Sequence, residues 1–147
     1  MKSLATMIKW LVALSAITTT GCTTTPITEQ SGKAVEGKAI FKPEWLFRGE
    51  DPSKAVVSVF RDKGLLGSPC SADIYFNAQK VTSLGAGEYI KLSLEPGSYF
   101  LSVKGPGRGL CMNWDTSQNL LLTAGEYQSY RITTASGSGT IYLTRTK

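Results

Sequence analysis

The thiol chemistry open to this chain of 147 residues is confined to Cys22, Cys70 and Cys111, and its acid–base chemistry must run without histidine, which is absent. That absence removes the commonest general base, the Ser-His-Asp and Cys-His constellations, and the usual catalytic zinc shell. Catalysis by the carboxylates Asp62, Asp73 and Asp115 would require a positioned pair. Nothing in their spacing fixes them on one face of one element. Gly105-Pro106-Gly107-Arg108-Gly109 has the glycines of a phosphate loop but no Lys-Ser or Lys-Thr ending and no helix pattern after it. It reads as a connection leading into Cys111. No catalytic residue, metal site or cofactor is expected.

The first of the three cysteines closes a leader. Lys2 and Lys9 give it positive charge, Trp10 to Ile17 form an apolar stretch, and Gly21 stands immediately before Cys22. The apolar stretch is about half of the ~20 residues a helix needs to cross the hydrocarbon core, so it reads as a secretion signal and not as a membrane span. Gly21 and Cys22 resemble the lipobox of bacterial lipoproteins, in which the cysteine thiol is diacylated, the leader is cut before it, and the new amine is acylated. Thr19 departs from the aliphatic residue usual at its position. The resemblance implies residues 1–21 as a signal peptide and Cys22 as a lipid anchor. Thr23, in place of the aspartate that resembles an inner-membrane retention signal, implies the outer membrane, facing the periplasm.

With Cys22 assigned to lipid, Cys70 and Cys111 remain. In an oxidising periplasm the simplest reading of an even pair is a disulfide, contributing ~3–4 kcal/mol in the chain-entropy model. Two separately buried thiols, or a two-cysteine metal site lacking other soft ligands, are the alternatives. Without the leader the formal charge falls from +5 to about +3. The lysines Lys54, Lys80, Lys91 and Lys104 are scattered singly, unlike the basic stripe that a phosphate backbone selects, so nucleic acid is not an expected partner.

Residues 22–40 are rich in Thr, Gly and Lys with few large apolar groups and are expected to form a flexible tether, its Val35 to Phe41 end having a first edge strand as the alternative. Ile40 to Arg48 is aromatic but contains Pro43, which bars a central strand. From Ala55 the chain turns β-like: Ala55 to Arg61 is Val- and Phe-rich, and Ala72 to Phe76 is followed by the turn composition of Asn77 to Lys80. Glu88 to Leu94 and Ser98 to Lys104 alternate strictly and are expected to pair as a hairpin about Pro96-Gly97. Leu120 to Leu122, Tyr127 to Thr133 and Thr140 to Arg145 complete the pattern. About seven or eight short strands, separated by turns, point to an all-β antiparallel sandwich over residues 41–147. The four scattered lysines are expected to guard its edges. Leu65 and Leu66, in the connection after Arg61, are candidates for partner contact or for folding back on the core. The aromatic residues, Trp45, Trp114 and six tyrosines among them, read mainly as core and cross-strand pairs, with a glycan platform as the alternative.

The order of Val57 to Gly64, Ala72 to Tyr75, Gly85 to Tyr89 and Leu94 to Tyr99 resembles a family of small bacterial lipoproteins of unknown function, and its centre resembles PEGA-type surface-layer domains. The likeness extends to Ala124 to Tyr127 and Tyr130 to Ile132. It implies a lipid-anchored, prealbumin-like or immunoglobulin-like sandwich and carries over no catalytic residues. The expected function is therefore non-enzymatic: a β-sandwich displayed on the periplasmic face of the membrane for contacts with an envelope protein. Alternatives are a subunit of a secretion or envelope machine and a glycan-binding or glycan-processing protein.

Overall fold

A computed structural model describes residues 24–64, 69–109, 111, 113–135 and 140–147. Nine strands lie among them: β1 (Lys33–Ala34), β2 (Ala55–Arg61), β3 (Ala72–Phe76), β4 (Gln79–Leu84), β5 (Glu88–Leu94), β6 (Gly97–Lys104), β7 (Asp115–Leu122), β8 (Tyr127–Thr134) and β9 (Ile141–Arg145). They form one sheet in the order β1-β5-β2-β8-β9 and a second in the order β4-β3-β6-β7. The fold is the expected all-β sandwich, and the strand beyond the expected count is the two-residue β1.

Strand β2 is the axis of the first sheet. Its Ala55, Val57 and Val59 are fully buried, and the period-2 geometry of a strand sends them all to the inner face. β5 runs antiparallel beside it, bringing Leu92 to Val57 and Ile90 to Val59. β8 runs parallel on the other side, with Tyr130 beside Val59. Facing them from the second sheet are Ile74, Phe76, Leu101, Val103 and Leu122, all with at most 2% exposure. One polar chain crosses this core: the Tyr130 hydroxyl donates to Gln128 Oε1 at 2.6 Å, and Gln128 Nε2 donates to the Leu121 carbonyl at 2.8 Å. A buried amide thus supplies a partner to the backbone of edge strand β7, where an unmet carbonyl would be costly.

Three expectations are corrected. First, β5 and β6 do not form a hairpin: β5 pairs with β1 and β2, whereas β6 pairs with β3 and β7 in the other sheet. Alternation fixes which face of a strand is buried but not which strand lies beside it. Glu95 and Pro96 carry the chain across the sandwich, so the two apolar faces meet through the core. Gly97, at φ +152°, takes a backbone conformation that side chains disfavour at the start of β6.

Second, the expected tether is folded over its described part. Thr25 pairs with Lys63 through reciprocal backbone hydrogen bonds of 2.6 and 3.0 Å, Ile27 is 1% exposed, Lys33 and Ala34 form β1 parallel to β5, and Val35 is buried. The folded body begins near Thr25, well before residue 41. Few apolar groups suffice because each fills a specific site while the backbone gains sheet partners. Gly32 shows how close the fit is, since a Cβ there would lie 2.7 Å from Ile27 Cδ1 and 3.2 Å from Tyr89 Cδ1.

Third, of the four expected edge lysines only Lys80 lies on an edge strand, β4. Backbone does more of the guarding there: Phe41 N donates to Val81 O at 2.8 Å and Thr82 Oγ1 donates to Ala39 O at 3.0 Å. A register shift opposite Ile74 and Tyr75 leaves Val81 and Thr82 both fully buried on adjacent positions, one toward the core and one under this cover. The hairpin joining β3 to β4 turns through Asn77 and Ala78, both at positive φ, as a two-residue turn matching strand twist requires.

Candidate binding groove

The outer face of the five-stranded sheet carries the described features most suited to contact. Phe60 of β2 and Tyr89 of β5 are cross-strand partners whose rings stack at 5.4 Å. Over them passes the segment from Thr25 to β1, which forms a strap. The strap is locked by Asp62, whose Oδ1 accepts from Ile27 N at 3.1 Å and also from Arg131 Nη1. Arg131 Nη2 donates to Ile27 O at 3.0 Å, and its guanidinium lies 5.6 Å from the Phe60 ring centroid. Asp62 Oδ2 is buried and accepts no hydrogen bond among the described residues. Burial accordingly pushes the Asp62 carboxyl above its usual range, opposed by the Ile27 N–H and by Arg131.

Further along the face, Lys91 of β5 is held 3.2 Å from Glu29 of the strap and lies 4.5 Å from the Phe47 ring centroid and 5.9 Å from that of Tyr127. Lys147 approaches the Tyr127 ring to 5.1 Å. This ridge separates two depressions. One, of about 600 Å³, has Phe47, Val56 and Tyr127 as its apolar wall and Asp51, Lys54 and Glu126 at its polar rim. The other, of about 380 Å³, lies between Ile27, Thr28, Phe60, Ser129 and Arg131. Glu126 is held as a carboxylate, its pKa lowered chiefly by Gln128 Nε2 and then by the Thr123 amide and hydroxyl.

The rim of the sandwich where β2 ends is built differently. Arg61 is 4% exposed, donates to the Leu84 carbonyl at 2.6 Å and lies 5.6 Å from the Trp114 ring centroid. Burial lowers its pKa to about 10, with Glu88 opposing. Beside it the expected disulfide is present: Cys70 and Cys111, 41 residues apart in sequence, are bonded with a Cα–Cα distance of 5.5 Å. It ties the connection between β2 and β3 to that between β6 and β7. The Gly105 to Gly109 run belongs to the latter, with Gly105 N donating to Trp114 O at 2.9 Å and Cys111 N to Arg108 O at 3.1 Å.

The three aspartates singled out by type are not brought together. Asp62 serves the strap, while Asp73 pairs with Lys80 at 2.8 Å and Asp115 with Lys104 at 3.6 Å on the other sheet. Tyr130 and Trp114 are core residues, and Trp45 and Tyr99 meet Phe76 edge-on. Cys22, Leu65 and Leu66 lie outside the described residues. Of the groove residues, Phe47 and Lys147 escape the sequence reading as site residues, while Lys91 enters it as an edge lysine and Tyr127 as one of the tyrosines of the alternative glycan platform. Outward positions of Lys91 and Tyr127 follow from alternation, but their proximity depends on the parallel pairing of β2 with β8, which no local pattern signals. The chain matches no protein-family model and no curated protein sequence.

Proposed function

We propose that the chain is a non-enzymatic lipoprotein, held by acyl chains on Cys22 at the periplasmic face of a bacterial outer membrane, that binds another envelope protein along the grooved face. The observation that carries this reading is the strap. The chain uses the residues soon after Cys22 to wall the smaller depression on a single face of the sandwich and locks them there through the buried carboxylate of Asp62, paired with the half-buried Arg131. Beside it, across the Lys91 ridge, the larger depression, with Phe47, Val56 and Tyr127 as its apolar wall and Asp51, Lys54 and Glu126 at its rim, suits a protein segment with an apolar anchor and polar flanks. A sugar-stacking role is disfavoured because Phe47 and Tyr127 already carry lysine ammonium groups within 6 Å of their rings. Acid–base chemistry is disfavoured by the separate pairing of Asp62, Asp73 and Asp115.

A photo-crosslinking residue at Glu50, on the rim of the larger depression, tests the reading against one at Asn119, on the outer face of the other sheet. In intact cells the Glu50 position is expected to give a discrete adduct with one envelope protein and the Asn119 position none. A fixed stoichiometry in that adduct would make the protein a subunit of an envelope assembly. Equal labelling from both positions, or none from Glu50, would refute a contact function for the groove.

A further inference from the structure

The path of the strap fixes more than a groove wall. Reading backwards from Ile27 at Asp62, the chain passes Thr25 at Lys63 and then Thr24, whose Cγ2 would lie 3.1 Å from a Cβ on Gly64. It therefore leaves the body at the end of the sandwich where β2, β6 and β8 finish and β3, β5, β7 and β9 begin. The disulfide is at this same end, whereas Asp51, Lys54, Gly125 and Glu126 of the larger depression lie at the opposite one.

Three Cα–Cα steps separate Cys22 from Thr25, a reach of at most ~11 Å at about 3.8 Å per step. A headgroup layer is about 5–8 Å deep, half the difference between the full bilayer and its hydrocarbon core. An acyl-bearing Cys22 at the hydrocarbon boundary thus leaves almost no slack beyond the headgroups. The charge at this end suits such contact: Lys33, Lys63, Lys104 and Arg108 are exposed, against Asp115, which is paired with Lys104, and the half-buried Glu88, which accepts from Gly85 N. We infer that lipid on Cys22 seats the sandwich flush against the bilayer, its disulfide end on the headgroups, and holds the Phe47–Tyr127 depression facing away, about 25 Å from the membrane along the strands. This rests on the lipoprotein reading and adds to it a membrane-contact surface and a fixed orientation.

The test uses full-length protein processed in a bacterial host and placed in nanodiscs of phosphatidylethanolamine and phosphatidylglycerol doped with a gadolinium-chelating lipid. Intact mass is read first, and an unmodified Cys22 would refute the anchor itself. On acylated protein, amide signals of Lys63, Gly87, Gly105 and Arg108 are expected to fall at least twofold on adding gadolinium, while those of Ser53, Glu95 and Gly125 hold. Uniform loss, or loss at the second set, would overturn the orientation while leaving the anchor standing. A variant with twelve Gly/Ser residues inserted between Thr23 and Thr24 keeps the anchor and is expected to lose the contrast. An undiminished contrast there would overturn the short link as its cause.

Discussion

The two sheets of this sandwich share a core but present opposite outer faces. The four-stranded sheet is plain: Ser98 and Ser117 lie exposed among ion pairs such as Lys80 with Asp73 and Lys104 with Asp115, and Phe100 and Leu121 stand exposed. The five-stranded sheet has its outer aromatic pair, Phe60 and Tyr89, roofed by the strap and a buried Asp62 to hold the roof down. Both faces belong to ordinary alternating strands. What separates them is the use made of about a dozen polar residues after Cys22, and the lesson is that a segment too polar to form a core can still be placed by a sheet that offers it one apolar site and one buried charge.

Removing the disulfide should have the largest effect and should spare that contrast. Cys70→Ser with Cys111→Ser is expected to lower stability by ~3–4 kcal/mol by chemical denaturation, while the strap amides keep their hydrogen-exchange protection. Breaking the lock attacks the contrast directly. Asp62→Ala leaves Ile27 N and Arg131 without their acceptor and should cost ~2–3 kcal/mol, with exchange protection lost at Ile27 and Val35 and kept at Val57 and Leu101. A milder change, Asp62→Asn, bears on pH. Because the folded-state pKa of Asp62 is raised, the folded protein takes up this proton before the unfolded chain does. The group on its own therefore makes folding more favourable as pH falls through that raised value toward the ordinary carboxylate range, and less favourable as pH rises through it. Comparing stability of wild type and Asp62→Asn between neutral pH and pH 4 should show that component vanish in the variant.

On the plain face, Phe100→Ser and Leu121→Ser should each shift stability by no more than ~0.5 kcal/mol and leave crosslinking from Glu50 unchanged. Smallest, and opposite in sign, is Ala78→Gly. Ala78 sits at φ +64° in the β3–β4 turn, a conformation costing an L-residue roughly 1 kcal/mol. Glycine there should stabilise the protein by somewhat less than that, read as a shift of the denaturation midpoint.

What could be read from sequence divides along physical lines. The bounds of β2 and β3 follow from their Val, Ile and aromatic content and those of β5 from strict alternation, and all three coincide with the observed strands; β5, with its inner face buried, writes its period into its own residues. The Cys70–Cys111 pair was legible by parity. The partner of each strand was not: Pro96-Gly97 between two alternating runs looks the same whether it turns within a sheet or crosses between sheets. The strap was hidden because its determinants are single residues, Ile27 and Val35, whose sites are made by Asp62, Tyr89 and Arg131 far along the chain. The larger depression depends on strand pairing and the smaller one on the strap as well, so both were invisible, although the outward placement of Lys91 was itself plain from alternation.

The central claim is that Cys22 becomes a lipid anchor and that the folded body follows at once. Intact mass and membrane partition of the protein from a bacterial host, compared with Cys22→Ala, test it most directly. The account predicts a mature chain beginning at an acylated Cys22 and found with membranes, and a Cys22→Ala chain that is not acylated and loses membrane association when its leader is removed. A wild-type chain with a free Cys22 thiol, or one that leaves the membrane fraction as readily as a soluble protein, would contradict it.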